Sequence, residues 1–575
     1  MRILSLFLSL FLSVNMFAAK TQTVTLHIFE TTDVHGCFFP WDFINKRPMK
    51  GTLARVSTYI KQARKDNPNS VILLENGDIL QGQPINYYYN YVATDKQNIA
   101  AQCVNYMQYD VQNWGNHDVE TAHACFDKWD KEVQCPVLGA NIIDKKTGKP
   151  YLKPYTIIER QGVRVAVIGF LTEAIPNWLT EDVYAGLEFE RIIPSAKKWV
   201  EKVKATEHPD LIIGLFHSGL DGGIETDVCS ENVTERVAET VPGFDAIMFG
   251  HDHMVCNKMV KCTDGRDVLI INSANQARNV AEAVVTVTKK GSKVISKNVE
   301  GVIHDVANID VDADYMAHFN AEVDEVKAWA DRKIGNNEIE ITTRDCFFGS
   351  SAFTDLIHNL QLQLTGADIS FSAPLTFNAT LKKGDITVAD MFKLYKFENK
   401  LFTMNLSGEE IRKALEMSYD LWVNTMKSPD DHIMLLAGVE NGNERNGFKN
   451  MTFNFDSAAG INYTVDVTKP DGQKVQILQM SNGQPFDEKH IYKVAVNSYR
   501  GNGGGELLTK GAGIQQKDLD SRITSRTDRD QRWYLMKEIE RLGTIAPKAN
   551  NNWRFVPDDW AVPALKRDRK LIFGD

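Results

Sequence analysis

Long apolar runs are almost missing from this 575-residue chain. Past the N-terminal segment, no stretch is long and apolar enough to cross a bilayer, which excludes further spanning helices. Basic runs are missing too, and the formal net charge is −10. That balance argues against a polynucleotide partner held by phosphate contacts. There is no internal repeat and no low-complexity tract, so a repeat array is excluded. Cysteine is sparse, at eight residues. Such usage fits an exported protein, and Cys256 and Cys262 are spaced for a hairpin-like bridge. Buried free thiols are the equal alternative for any one of the eight, and Cys103, Cys125 and Cys135 have no pairing that spacing alone assigns.

The N-terminal segment itself has one early positive charge, an apolar run and small residues near Ala19. It reads as a secretory signal over residues 1–19, removed near Ala19, and places the protein in the periplasm or outside the cell. No cysteine follows at once, which argues against a lipoprotein.

Metal-binding side chains stand out against this background. Four short runs end in them: Asp33-Val34-His35, Gly77-Asp78, Gly115-Asn116-His117-Asp118 and Gly250-His251-Asp252-His253. A fifth, Phe216-His217-Ser218, lies between the last two. Most follow an apolar, β-branched stretch, the pattern of ligands mounted where parallel strands end. The set mixes oxygen and imidazole donors and contains no thiolate. It suits zinc, manganese, iron or cobalt, and disfavours a calcium cage.

Periodicity divides the chain. Strand-like and helix-like stretches alternate over residues 20–308, with helices expected at 53–65, 121–133 and 195–204, giving one α/β domain. A charged amphipathic segment at 309–338 reads as a solvated connecting helix and hinge. A second, α+β domain spans 339–545, with helices at 353–364 and 408–419. It also carries a hairpin around Lys469-Pro470-Asp471-Gly472. Residues 546–575 read as a tail wrapping the surface.

The five motifs, in this order, resemble those of the calcineurin-like metallophosphoesterases: D-x-H, GD, GNHD/E, H and GHxH. The resemblance implies a four-layer α/β catalytic domain with two divalent metal ions. Asp78 would bridge them. Asp33, His35 and His253 would complete one site, and Asn116, His217 and His251 the other. Metal-activated water would attack the phosphate ester, with His117 stabilising the phosphoryl oxygens. In related 5′-nucleotidases an Asp three places after that histidine pairs with it. Here the place holds Glu120, which either orients His117 or leaves it without a partner.

The second domain extends the resemblance to the 5′-nucleotidase and 2′,3′-cyclic-nucleotide phosphodiesterase families. The N-G-G-x-R segment of the 5′-nucleotidases is replaced by Ser372-Ala373-Pro374-Leu375-Thr376-Phe377-Asn378, which has no arginine. Leu394-Tyr395-Lys396-Phe397-Glu398-Asn399 and Asn497-Ser498-Tyr499-Arg500 followed by Gly503, Gly504 and Gly505 are similar to the cyclic branch. That similarity implies a nucleotide substrate with its base between Phe455 and Tyr499. The three glycines would lie near base or ribose, and Arg500 would pair with a carboxylate or contact the ligand. The expected activity is a 2′,3′-cyclic-nucleotide 2′-phosphodiesterase and 3′-nucleotidase. The rivals are a 5′-nucleotidase or nucleotide-sugar hydrolase, a sulfur-compound hydrolase on the same fold, and a nucleoside-binding or adhesion protein with an inactive site.

Overall fold

The computed structural model describes residues 21–437 and 447–574. The expected signal, residues 1–19, lies outside the described residues.

Alternating side chains build the first domain. Along strand Thr21–Thr31, Leu26 and Ile28 face one way and Phe29 the other; along Val71–Glu75, Ile72 and Leu74 oppose Leu73. Strands that are apolar on both faces must be covered on both faces. Leu26, Ile28, Ile72 and Leu74 meet Val165, Val167, Ile213, Leu215 and Ile271 of a second sheet in a shared core. Phe29 and Leu73 turn outward onto helices Leu53–Asp66, Ile99–Met107 and His123–Glu132. On the far side, Ile168, Ile212 and Ile247 pack against helices Ile192–Glu207 and Thr234–Thr240. The result is the expected four layers: helices, sheet, sheet, helices.

Each sheet has six strands. In the first, Thr21–Thr31, Val71–Glu75, Val111–Asn113 and Val137–Leu138 run parallel. In the second, Val163–Leu171, Leu211–His217, Ala246–Phe249 and Asp267–Ser273 do the same. All the motif loops leave the C-terminal ends of these strands, so both sheets deliver side chains to one rim.

The second domain centres on a five-stranded sheet, ordered Ser457–Ala459, Ile369–Ser372, Ile491–Asn497, Lys400–Ser407 and Ile523–Asp530. Helix Ala352–Thr365 packs on it, as does helix Gly408–Trp422, which starts at a capping box of Ser407 and Glu410. The expected hairpin forms, with Ile461–Asp466 antiparallel to Val475–Met480.

Three expectations are corrected. Residues 309–338 do not form a solvated connector. They make two helices, Ala313–His318 and Asn320–Ala330, whose Tyr315, Phe319, Val323 and Val326 are buried in the first domain's core, followed by strand Lys333–Asn337 of the second domain. The charged residues mark only the outer face of these helices. Residues 546–575 are not a wrapping tail. Strand Trp553–Val556 pairs with Ile461–Asp466, and Trp553, Phe555, Ala561 and Ala564 belong to the second domain's core. Cys256 and Cys262 do not pair, and all eight cysteines are free. Cys256 lies near the start of the extended strand Val255–Lys261, and Cys262 directly follows its end. An extended chain advances roughly 3.3 Å per residue, far beyond disulfide reach over that span.

Candidate active site

The ligand loops are bent by positive φ. Asp33, His35, Asp78, His251 and His253 all adopt φ between 49° and 80°. Side chains other than glycine rarely do so, and such strain gathers at functional sites. Glycines let the loops close up. A Cβ on Gly115 would strike Asp78 Oδ1, and one on Gly250 would strike Thr32 Oγ1. Asp118 then pins two loops together. Its carboxylate accepts from the backbone N–H groups of Asp78, Ile79, Leu80 and Gly115 at 2.8–3.0 Å.

The side chains converge as two groups that share Asp78: Asp33, His35, Asp78 and His253, and Asp78, His217 and His251. One donor atom from each member lies within 4.8 Å of the others in its group. His253 Nε2 is 3.2 Å from Asp33 Oδ1, and His217 Nε2 is 3.3 Å from Asp78 Oδ2. Asn116 Oδ1 joins the second group, 3.1 Å from His217 Nε2 and 2.8 Å from His251 Nδ1.

The set fits two cations. Asp33 Oδ1 is buried with no well-formed hydrogen bond to any described residue and faces the His253 and His217 rings, a position a cation would satisfy. Burial favours neutral His35 and lowers its pKa to about 3, leaving a ring lone pair for a metal. Burial also works against a charged His217, yet Asp78 and Asp33 raise its pKa to about 10. That proton marks the negative potential a divalent ion would occupy. Cys37 lies beside the cleft, but burial pushes its thiol up to about 12, and the donor set stays free of sulfur.

A second ring of contacts aims the imidazoles. His217 Nδ1 is 2.6 Å from the Asn76 carbonyl oxygen and His35 Nδ1 is 3.2 Å from that of Gln81, so Nε2 of each faces inward. His251 is turned the other way: Glu231 holds its Nε2 at 3.0 Å, leaving Nδ1 for the site. Sequence reasoning missed Glu231, since it sits on a separate hairpin strand, Ser230–Asn232, with no motif around it. Replacing it with glutamine is expected to lower metal affinity about 10–100-fold, read by metal titration.

His117 stands outside the two groups. Its Nδ1 is 2.6 Å from Glu120 Oε2, its backbone N–H donates to Asp78 Oδ1 at 2.8 Å, and it lines the cleft. The histidine–glutamate contact thus forms, and Asp118 has a separate structural role. Burial opposes charge on His117, but Asp78 and Glu120 outweigh it and raise its pKa to about 9.

A cleft of about 480 Å³ runs from these histidines to the second domain. Tyr499 lines it, but Phe455 does not: that ring is fully buried, stacked 5.4 Å from Trp422. The ring in the cleft is Phe453, two residues earlier, 6.3 Å from Tyr499 and nearly perpendicular to it. Two phenylalanines flanking Asn454 gave no local signal of which one faced inward. Arg500 is buried and pairs with Asp456 through Nε and Nη2, both at 2.9 Å, so it is structural. Gly503, Gly504 and Gly505 lie behind the cleft wall. A Cβ on Gly504 would strike the Tyr499 ring, so the glycine lets that ring pack close.

Comparison with known proteins agrees with this geometry. Residues 26–255 match the family described as calcineurin-like phosphoesterase, and residues 330–510 match the 5′-nucleotidase C-terminal domain. A Haemophilus influenzae protein named 2′,3′-cyclic-nucleotide 2′-phosphodiesterase/3′-nucleotidase is 26% identical, over 95% of this chain and 90% of its own. A Salmonella typhimurium protein of the same name is also 26% identical, over 94% and 90%. The fold matches that of a Staphylococcus aureus structure at TM-score 0.77, with 20% identity over 92% of this chain and all of that one. It also matches a 5′-nucleotidase precursor from Thermus thermophilus at TM-score 0.63, with 20% identity over 93% of this chain and 99% of that one. The chain belongs to the metallophosphoesterases that join a calcineurin-like phosphoesterase domain to a 5′-nucleotidase C-terminal domain, and it is a phosphoric ester hydrolase of the kind that uses two divalent metal ions.

Proposed function

We propose that this enzyme hydrolyses 2′,3′-cyclic nucleotides and 3′-nucleotides, and does so in the periplasm or outside the cell. The observation that carries the ester preference is the second domain's wall of the cleft. Of residues 372–378, only Leu375 reaches it, and no arginine lines it among the described residues. The relatives named for the cyclic and 3′ activities align across both domains, in keeping with this reading.

Asp33, His35, Asp78, Asn116, His217, His251 and His253 would hold the ions. When bound, the pair supplies an activated water and neutralises phosphoryl charge. His117 directs Nε2 into the cleft and donates to a phosphoryl oxygen, while Glu120 keeps the ring oriented and charged. Phe453 and Tyr499 hold the base. The two rings stand nearly perpendicular in this structure, so one of them must turn through most of a right angle to sandwich a base.

Phosphate and nucleoside release from 2′,3′-cyclic AMP, 3′-AMP and 5′-AMP, compared side by side with manganese, zinc and chelator, tests the reading. Preference for the first two esters is expected, with loss of activity in chelator. Preference for 5′-AMP would overturn the ester assignment. Phe453→Ala is expected to raise KM for nucleotides about 10–100-fold, the worth of one stacked base, with little change for a small aryl phosphodiester. Phe455→Ala should instead lower stability by about 3–5 kcal/mol, measured by denaturant unfolding.

A further inference from the structure

We propose that Lys396 is the cationic contact for the substrate's phosphate, reaching it from the second domain opposite the metal ligands. The proposal rests on the reading of the cleft as a nucleotide site. Lys396 is the one lysine or arginine lining the cleft among the described residues. Its ammonium makes no ion pair and no hydrogen bond with any described residue, and lies 5.2 Å from the Phe397 ring. The other charged groups around the cleft are already engaged. Glu120 meets His117, Glu231 meets His251, and Glu398 meets Arg532 at 2.8 Å.

The segment that carries Lys396 is built to hold still. Arg532, itself 2% exposed, donates to the carbonyl oxygens of Tyr395 and Lys396 as well as to Glu398. The Asn399 carbonyl accepts from Gln531 N–H at 2.9 Å. With the backbone pinned on both sides, the lysine side chain is left to the cleft. Its neighbour Phe397 lies parallel to the His117 ring, 6.3 Å away and tilted by only 4°. The Phe397 ring therefore stands in contact with both the Lys396 ammonium and the His117 ring, and both residues line the same cleft.

Lys396 is exposed, and the Phe397 ring is the one group its ammonium meets among the described residues, so its charge stays free for an anion in the cleft. Crowding lowers the pKa of Lys396, and no carboxylate raises it. The surface of the group that remains open meets cleft water, where an anion can dock. A lysine acts as a point charge with three donors, so it tolerates the different phosphate orientations of cyclic and open esters. No arginine fork is needed.

The test compares Lys396→Gln and Lys396→Arg with the wild type, on whichever phosphate ester the wild type turns over fastest. For Lys396→Gln, KM is expected to rise about 10–100-fold, the worth of a hydrogen bond to a charged group. The value of kcat should stay within about threefold, metal content should remain at wild-type level, and competitive inhibition by adenosine, which carries no phosphate, should be unchanged. The rise of KM with added salt should flatten in Lys396→Gln, because a screened attraction has been removed. Lys396→Arg should recover most of the loss. An unchanged KM, or an equal weakening of adenosine, would overturn the proposal. Failure of the ester assignment shows separately, as a wild-type preference for 5′-AMP, and leaves this comparison readable on that ester.

Discussion

Asp78→Ala is expected to cut phosphoester hydrolysis by about 10³-fold or more and to lower bound metal in the same protein. Asp78 belongs to both donor groups. Its Oδ2 is 3.3 Å from His217 Nε2, and Oδ1 accepts the His117 backbone N–H at 2.8 Å. Alanine therefore removes the shared ligand and loosens the loop that carries Asn116 and His117. Asp33, His35 and His253 remain for one cation, while the other loses its only carboxylate. Two readouts are required, elemental analysis of dialysed protein and steady-state turnover. If turnover stays within about tenfold of wild type with metal reduced by half, one ion suffices and the dinuclear reading falls.

His117→Ala should lower kcat about 10²–10³-fold, the range for one donor to a developing oxyanion, and leave metal content at the wild-type level. The two readouts separate His117 from the ligands. It lines the cleft but lies outside both donor groups. KM should change little, because the His117 contact with the phosphoryl oxygen strengthens mainly as charge develops in the transition state. Glu120→Gln should give a smaller loss in the same direction. Glutamine can keep a hydrogen bond to Nδ1 but cannot stabilise the charged ring, whose partner now sits at 2.6 Å. If His117→Ala loses metal along with activity, the residue is a ligand and its assigned role is wrong.

Much of the first domain was legible because period and position are local properties. The helix expected at 53–65 is Leu53–Asp66, and the apolar stretches before Asp78, His217 and His251 are strands Val71–Glu75, Leu211–His217 and Ala246–Phe249. Motif residues follow strand ends at short range, so the chain itself announces where they gather. The second domain was harder. Phe453 lies in a short 3₁₀ turn, Thr452–Asn454, and Phe455 directly follows it, where alternation does not apply. Arg500 sits in a glycine-rich stretch that reads as exposed loop, yet Asp456, 44 residues earlier, draws it into the interior. The charged helices Ala313–His318 and Asn320–Ala330 hide an apolar stripe that only their packing reveals.

The sequence by itself determined the alternation of strands and helices in the first domain and the places of seven candidate donors: apolar β-branched stretches dictate buried strands, and the candidates ride on loops directly after them. Only the tertiary structure decided what reaches those donors from elsewhere in the chain. Glu231 on His251, Phe453 in the cleft and Phe397 against His117 are all set by contacts between distant segments. Such contacts depend on how whole sheets and helices pack, and no local pattern of residues encodes them.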